Sequence, residues 1–238
     1  MKSSSVDSRA SSLHGLATSD GVKLEEMAAN SYRDFHAKGL DYLCLLRTPE
    51  LTLKAYFFEG DVSALPEVVV PHDHRYPFET LVLAGRSRNR RYIRQARGLF
   101  GAAPYEAFDY MTPLNGGDGF SWSETDWLLE TEDSPYVAGE FYAQRADEIH
   151  TIQVADAGTV LILKQGADVV PLDRPTRAYR PAGVREPPSL DGLYSPMGVD
   201  HVRVRLEQLG ALRSLAALLG VAARLAPGTP QSKAQNNE

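Results

Sequence analysis

The apolar residues Leu24, Met27, Ala28, Tyr32 and Phe35 recur at helical intervals between Glu25, Glu26, Asn30, Arg33 and Lys38, which predicts an amphipathic helix from Gly21 to a stop at Gly39. His36 falls near its C-terminal end and reads as a surface or capping histidine. The period changes after Asp41. YLCLL and LTLKAYFFEG have strand length and strand composition on either side of Thr48-Pro49-Glu50, which reads as a hairpin connection. In the second strand Lys54, Tyr56 and Phe58 share one face and Leu53, Ala55 and Phe57 the other, so one set looks into a core or cavity. Further strands are expected in Leu81 to Leu83, Gly139 to Ala143, Asp147 to Val154 and, most clearly, TVLILKQG from Thr159 to Gly166. Phe100 to Gly119 reads as loop mixed with short strand, and the acidic run after Phe120 as a solvated edge. From about Val204, Leu206, Leu209, Leu212, Leu215, Ala216, Leu219 and Ala222 return to helical spacing until Pro227-Gly228. Short strands with helices at the two ends predict an all-β sandwich or barrel with helical decoration.

The same pattern sets the expected organisation. Residues 1–18 are Ser-rich and aperiodic and are expected to be disordered, as is the tail 229–238. Residues 19–185 form the main domain with its N-terminal helix, and 186–228 a linker and C-terminal helix. That helix, apolar over a broad arc, fits docking on the barrel or on a second copy in a homodimer.

A chain of 238 residues with 43% hydrophobic content fills one substantial core. A formal net charge of -6 argues against nucleic acid as a partner and leaves small molecules. The one cysteine, Cys44, permits no internal disulfide and reads as a small buried hydrophobe. Met1 leads into no apolar leader, and Arg213 and Arg224 interrupt the one long apolar region, so a cytoplasmic protein without a membrane span is expected.

The candidate chemistry gathers at VVVPHDHRYPFETLVLAG, residues 68–85. His72 and His74 are two apart, so on an extended strand their imidazoles leave from one face. Glu79 follows beyond a Tyr76-Pro77 turn, and His150 in DEIHTIQV offers a later ligand. Three imidazoles and a carboxylate form a metal set suited to Fe(II), Mn(II), Ni(II) or Zn(II); the bland alternative is a polar turn network beside Asp73 and a satisfied core histidine. Six arginines follow between Arg86 and Arg97. They read either as a charged strand balancing the surface or as a source of a guanidinium for an anionic substrate, with Arg88 on one face and Asn89 and Arg91 on the other. Trp122 and Trp127 suit an aromatic wall over a pocket.

The spacing H-x-H-x4-E-x5-G formed by His72, His74, Glu79 and Gly85 resembles the first motif of the cupin superfamily (RmlC-like), one residue short before the glycine. Gly139 and His150 match the second motif, although Arg145 and Asp147 stand where that motif has proline and glycine, and Val154 where it has asparagine. The resemblance covers roughly Leu53 to Gly166. It implies a double-stranded β-helix (jelly-roll) barrel holding a metal through His72, His74, Glu79 and His150. The His-Asp-His triplet after Pro71 is also similar to the cysteine-dioxygenase-like branch, in which three histidines hold Fe(II). There Glu79 would be a weak ligand, a base or structural, and Tyr56 or Tyr142 would stand for the branch's catalytic tyrosine.

The expected function is therefore an Fe(II) dioxygenase acting on a small carboxylate- or amine-bearing metabolite with O2, with Glu79 or Glu148 as proton shuttle. The alternatives are a metal-dependent isomerase, epimerase or lyase, and a non-catalytic small-molecule-binding barrel.

Overall fold

The computed structural model describes residues 21–59, 70–111, 117–154, 156–188, 191–192 and 194–218. The expected disordered segments, and the continuation of the C-terminal helix to Pro227, lie outside these residues. In chain order the elements are α1 (Gly21–Ala29), β1 (Tyr32–Arg33), β2 (Leu40–Arg47), β3 (Thr52–Phe58), β4 (Phe78–Ala84), β5 (Arg86–Arg94), β6 (Ala103–Met111), β7 (Gly119–Val137), β8 (Phe141–Gln144), β9 (Ile149–Val154), β10 (Thr159–Gln165), β11 (Thr176–Pro181), β12 (Ser195–Pro196) and α2 (Val199–Leu218). They build a mostly β molecule of two antiparallel sheets, ordered β12-β1-β2-β3-β10-β4-β8 and β11-β6-β7-β5-β9. Among the described residues no helix is long and apolar enough to cross a membrane.

Alternation along β3 divides the core into two layers. Ala55 and Phe57 face outward from the first sheet and pack with Leu43, Leu81, Leu83 and Val160 beneath Met27 of α1 and Val202 and Leu209 of α2. Phe58 faces the other way with Leu40, Val82, Val154 and Leu161, and Tyr56 joins both this group and a neighbouring one of Phe78, Tyr142 and Leu163. Both helices thus cover the outside of the first sheet, and the residues on the face of Lys54, Tyr56 and Phe58 line the space between the sheets.

Gly85 carries the chain from β4 in one sheet to β5 in the other. Its φ is +74°, and an added Cβ would lie 2.3 Å from Thr159 Oγ1 and 2.8 Å from Thr159 Cα, so both the turn and the close approach require glycine. The segment bearing His72 makes the complementary link. His72 pairs with His150 in β9 and with Ala178 in β11, exchanging backbone hydrogen bonds of 2.9 Å with His150 in both directions. Asp73 N donates to Arg177 O at 3.0 Å, and Tyr179 N to Pro71 O at 2.8 Å. The two edges of the second sheet are joined through this one segment.

Three expectations need correcting. The first helix ends at Ala29: Asn30 Nδ2 donates to Glu26 O at 2.9 Å, and Ser31 Oγ donates to Met27 O at 2.6 Å while accepting from Cys44 N at 2.9 Å. The helical spacing of Tyr32 and Phe35 serves a strand and turn instead, where Tyr32 pairs with Tyr42 and Phe35 stacks on Tyr42 at 4.7 Å. The acidic run after Phe120 is no edge. It is β7, a strand of 19 residues between β5 and β6, and its Glu132 and Asp133 meet Arg91 and Arg88 of β5. Finally, α2 starts at Val199, before Val204, and is fixed by a buried polar lock. Arg205 Nε and a terminal nitrogen donate to Asp41 Oδ2 at 3.0 and 2.6 Å, the other terminal nitrogen pairs with Glu59, and His201 Nε2 lies 2.6 Å from Asp41 Oδ2.

Candidate metal centre

Pairing with both β9 and β11 fixes the backbone of His72, and two residues on His74 N donates to Ala146 O at 3.0 Å. His150 follows Ile149 in β9. These placements bring the ligand atoms of His72, His74 and His150 within 4.8 Å of one another, with His74 Nε2 and His150 Nε2 only 2.9 Å apart. Asp73, between the first two, turns away and accepts from Arg177 N at 2.7 Å.

Hydrogen bonds set the tautomers. His72 Nδ1 lies 2.8 Å from Val70 O and so donates to it, leaving Nε2 with its lone pair. His150 Nδ1 lies 2.8 Å from Asn89 Oδ1. Asn89 is fully buried and its Nδ2 donates to Gln144 Oε1 at 3.3 Å. Its amide is thereby oriented with the oxygen toward His150, whose Nε2 is left as the acceptor. Gln144 Oε1 also takes Arg91 Nε at 3.3 Å, and Arg91 is held in turn by Glu132 Oε2 at 2.8 Å and Ala143 O at 2.6 Å. A chain of polar contacts thus runs from His150 outward to the surface.

Burial, then the proximity of the other imidazoles, holds His74 well below the ordinary histidine range. Burial likewise lowers His72 and His150, the latter helped by His72 and Arg91. The three rings are neutral at neutral pH. Two Nε2 atoms 2.9 Å apart then need a shared proton or a shared cation between them. Nitrogens each ~2.1 Å from one ion and at a right angle would stand about 3 Å apart, so the donor set fits a first-row divalent metal.

Around the rings the wall is aromatic. Phe78 and Tyr76 pack on His74 with centroids 4.9 and 5.3 Å away, and Tyr142 stacks on Tyr136 at 4.8 Å. Burial pushes Tyr142 up to about 12 and Tyr56 well above the usual phenol value, so both phenols keep their protons. His36, which the sequence placed on a helix, sits in a left-handed turn at φ 63° and shares a 2.6 Å hydrogen bond with Tyr194. Burial first, then His72 and Lys54, lower its pKa; an exposed edge lets solvent moderate that fall.

No family model matches the chain, and no curated protein matches it. Similar solved structures include KdgF from Halomonas sp. (13% identity, TM-score 0.31, 54% of this chain and 81% of that one). Streptomyces albus HEPD with 2-hydroxyethylphosphonate and Fe(II) bound has 12% identity and a TM-score of 0.33, over 56% of this chain and 22% of that one. Hydroquinone 1,2-dioxygenase PnpCD in complex with Cd2+ and 4-hydroxybenzonitrile has 12% identity and a TM-score of 0.33, over 71% of this chain and 85% of that one. These neighbours are cupin-type proteins, but likeness at this level carries no weight for what the site does, which rests on the geometry above.

The other residues singled out in the sequence are dispersed. Glu79 is not brought to the histidines. Because β4 begins at Phe78, Phe78 and Thr80 face inward and Glu79 faces out, where it pairs with Lys164 at 3.3 Å. Glu79, Glu148 and Arg91 line an outer cleft of about 510 Å³ with Arg145 and Lys164, and Glu148 accepts from Arg145 N at 2.8 Å. Arg88 makes a two-pronged pair with Asp133 at 2.8 and 2.7 Å. Trp122 donates to Glu106 at 2.8 Å beneath Arg185, and Trp127 lies opposite Pro104 on β6. Tyr56 and Tyr142 do face the interior. Sequence reasoning missed Gln144 and Glu132, which carry no motif, and it placed His36 on a helix where the structure has a turn.

Proposed function

We propose that the chain is a metal-dependent enzyme of the cupin type, an Fe(II) dioxygenase acting on a small carboxylate- or amine-bearing metabolite, on a double-stranded β-helix barrel. The observation that carries the reading is the convergence of three imidazoles, His150 buried and His72 and His74 half-buried, with the lone pairs of His72 and His150 aimed by Val70 and Asn89 and no carboxylate among the described residues joining them. An all-nitrogen set keeps its full count of neutral donors and leaves coordination positions for other ligands. His72, His74 and His150 would hold the ion. When bound, Fe(II) supplies a redox-active centre at which O2 and a substrate can meet.

The chain's own residues have distinct tasks in this reading. Asn89 holds the His150 proton at Nδ1, Gln144 holds Asn89, and Arg91 holds Gln144. Phe78 covers His74 and His150, and Tyr76 covers His74. Tyr56 and Tyr142, kept protonated by burial, act as hydrogen-bond donors rather than bases near neutral pH.

The test is anaerobic purification with Fe(II), metal analysis, and O2 uptake against a panel of small carboxylic acids and amines. About one iron per chain, with O2 consumption coupled to an oxygen-containing product, is expected. Stoichiometric metal with a product formed equally well without O2 would replace this reading with an isomerase or lyase, and ligand binding without turnover would make the chain a binding protein.

A further inference from the structure

The space between the sheets holds a lysine that the metal reading leaves unused. Lys54 is 5% exposed, on the face of β3 that also carries Tyr56. Its Nζ donates to Tyr76 Oη at 3.2 Å and stands 4.9 Å from the Tyr76 ring centroid and 5.5 Å from that of Tyr42. Tyr76 is in turn 5.3 Å from His74, centroid to centroid. The charge of Lys54 is felt at both His74 and His36.

A buried ammonium ordinarily has a carboxylate partner, because ring faces and one phenol compensate only part of its lost hydration. Arg86, Arg88, Arg91, Arg94, Arg177 and Arg205 each have such a partner. Among the described residues no carboxylate pairs with Lys54. An ammonium also carries more donors than one phenol oxygen can take. Having accepted from Lys54, Tyr76 keeps its own proton to give. Ammonium and phenol therefore present adjacent donors beside the histidines, the arrangement that suits the two oxygens of a carboxylate.

We propose that Lys54, with Tyr76, receives the carboxylate of a small substrate whose other end lies at His72, His74 and His150. This rests on the metal-site reading and moves the anion contact from the arginines of β5, which are engaged elsewhere, to the opposite sheet.

The experiment titrates the full-length protein, metal-free and Zn(II)-loaded, with propionate and with the uncharged propionamide. Binding is followed by calorimetry and by NMR of 13Cε-labelled lysine, with the Lys54 signal assigned by its absence in Lys54→Arg. The Lys54 signal should shift saturably with propionate, with and without zinc, and not with propionamide. Lys54→Met should weaken propionate binding by roughly tenfold or more while Lys54→Arg retains most of it. Equal binding by Lys54→Met, equal response to propionamide, or an unmoved Lys54 signal would overturn the proposal; the last applies even if Lys54→Met fails to fold. Zinc content of the same samples separates the two ideas. A chain that takes no zinc yet shows the propionate response would lose the metal reading and keep the carboxylate contact.

Discussion

Two polar clusters, each containing a histidine, follow opposite rules. At the α2 lock, Arg205 is 4% exposed and Asp41 6%, and their charges are matched: Asp41 meets Arg205 and His201, and Arg205 also meets Glu59 and Gln208. At His72, His74 and His150 the three groups are of one kind and no carboxylate among the described residues meets their Nε2 atoms. The first cluster satisfies itself and therefore holds structure. The second brings three nitrogen ligands to a common point, where a cation could be held. Such contrast in partner chemistry, more than burial or residue type, separates an anchor from a site.

Breaking the lock should give the largest effect. Arg205→Ala leaves Asp41 buried with one partner fewer and is expected to cost roughly 3–5 kcal/mol in urea unfolding, while the metal bound per folded chain stays the same. Metal loss at equal stability would instead place Arg205 in the site. Next in size, Asn89→Leu removes the acceptor that fixes the His150 tautomer and should weaken metal binding about 10–100-fold in a competition with a chromophoric chelator. Asn89→Asp, which keeps an acceptor, should recover most of that loss; equal loss in both would make Asn89 a packing residue only.

The pH dependence of the metal-free protein sharpens the contrast further. Burial lowers the folded-state values of His72, His74 and His150, opposed at His72 by its bond to Val70 O and helped by neighbouring imidazoles at His74 and His150. Below the ordinary histidine value the unfolded chain takes up protons that the folded chain refuses, so stability is present above about pH 6.5 and is lost as pH falls. Each such histidine contributes up to about 1.4 kcal/mol per pH unit. Replacing His74 by Gln should flatten the slope between pH 6.5 and 5.5 by about one share, and an unchanged slope would mean that the ring is protonated in the fold. The smallest effect is assigned to Glu79→Gln. Its pair with Lys164 is solvent-exposed and worth about 0–1 kcal/mol, and metal affinity should not move. A large loss of metal would return Glu79 to the ligand set.

Much of this was legible in residue spacing, and the failures share a cause. An apolar period of three to four is the same whether it serves one helix or a helix followed by an aromatic turn; Ser31 and Asn30 closing α1 decide the matter at Tyr32 and Phe35. Charge composition made β7 look like an edge because the arginines that face it, Arg88 and Arg91, lie about forty residues away in sequence. The histidines could be picked out because they are chemically distinctive. The facing of Glu79 depended on the residue at which β4 begins, which one register step reverses. Lys54 was visible on the face of Tyr56, but only the structure sets that face toward the histidines and shows each arginine of β5 occupied.

The central claim is that three imidazoles alone hold the ion. Equilibrium dialysis of the full-length protein against Fe(II) under anaerobic conditions, comparing wild type with His72→Ala, His74→Ala, His150→Ala and Glu79→Gln, tests it directly. The account predicts about one ion per chain in wild type and in Glu79→Gln, with loss in each histidine variant beyond the ~10–100-fold that a supporting residue costs and with folding retained by circular dichroism. Full metal retention in the histidine variants, or loss in Glu79→Gln equal to theirs, would contradict it.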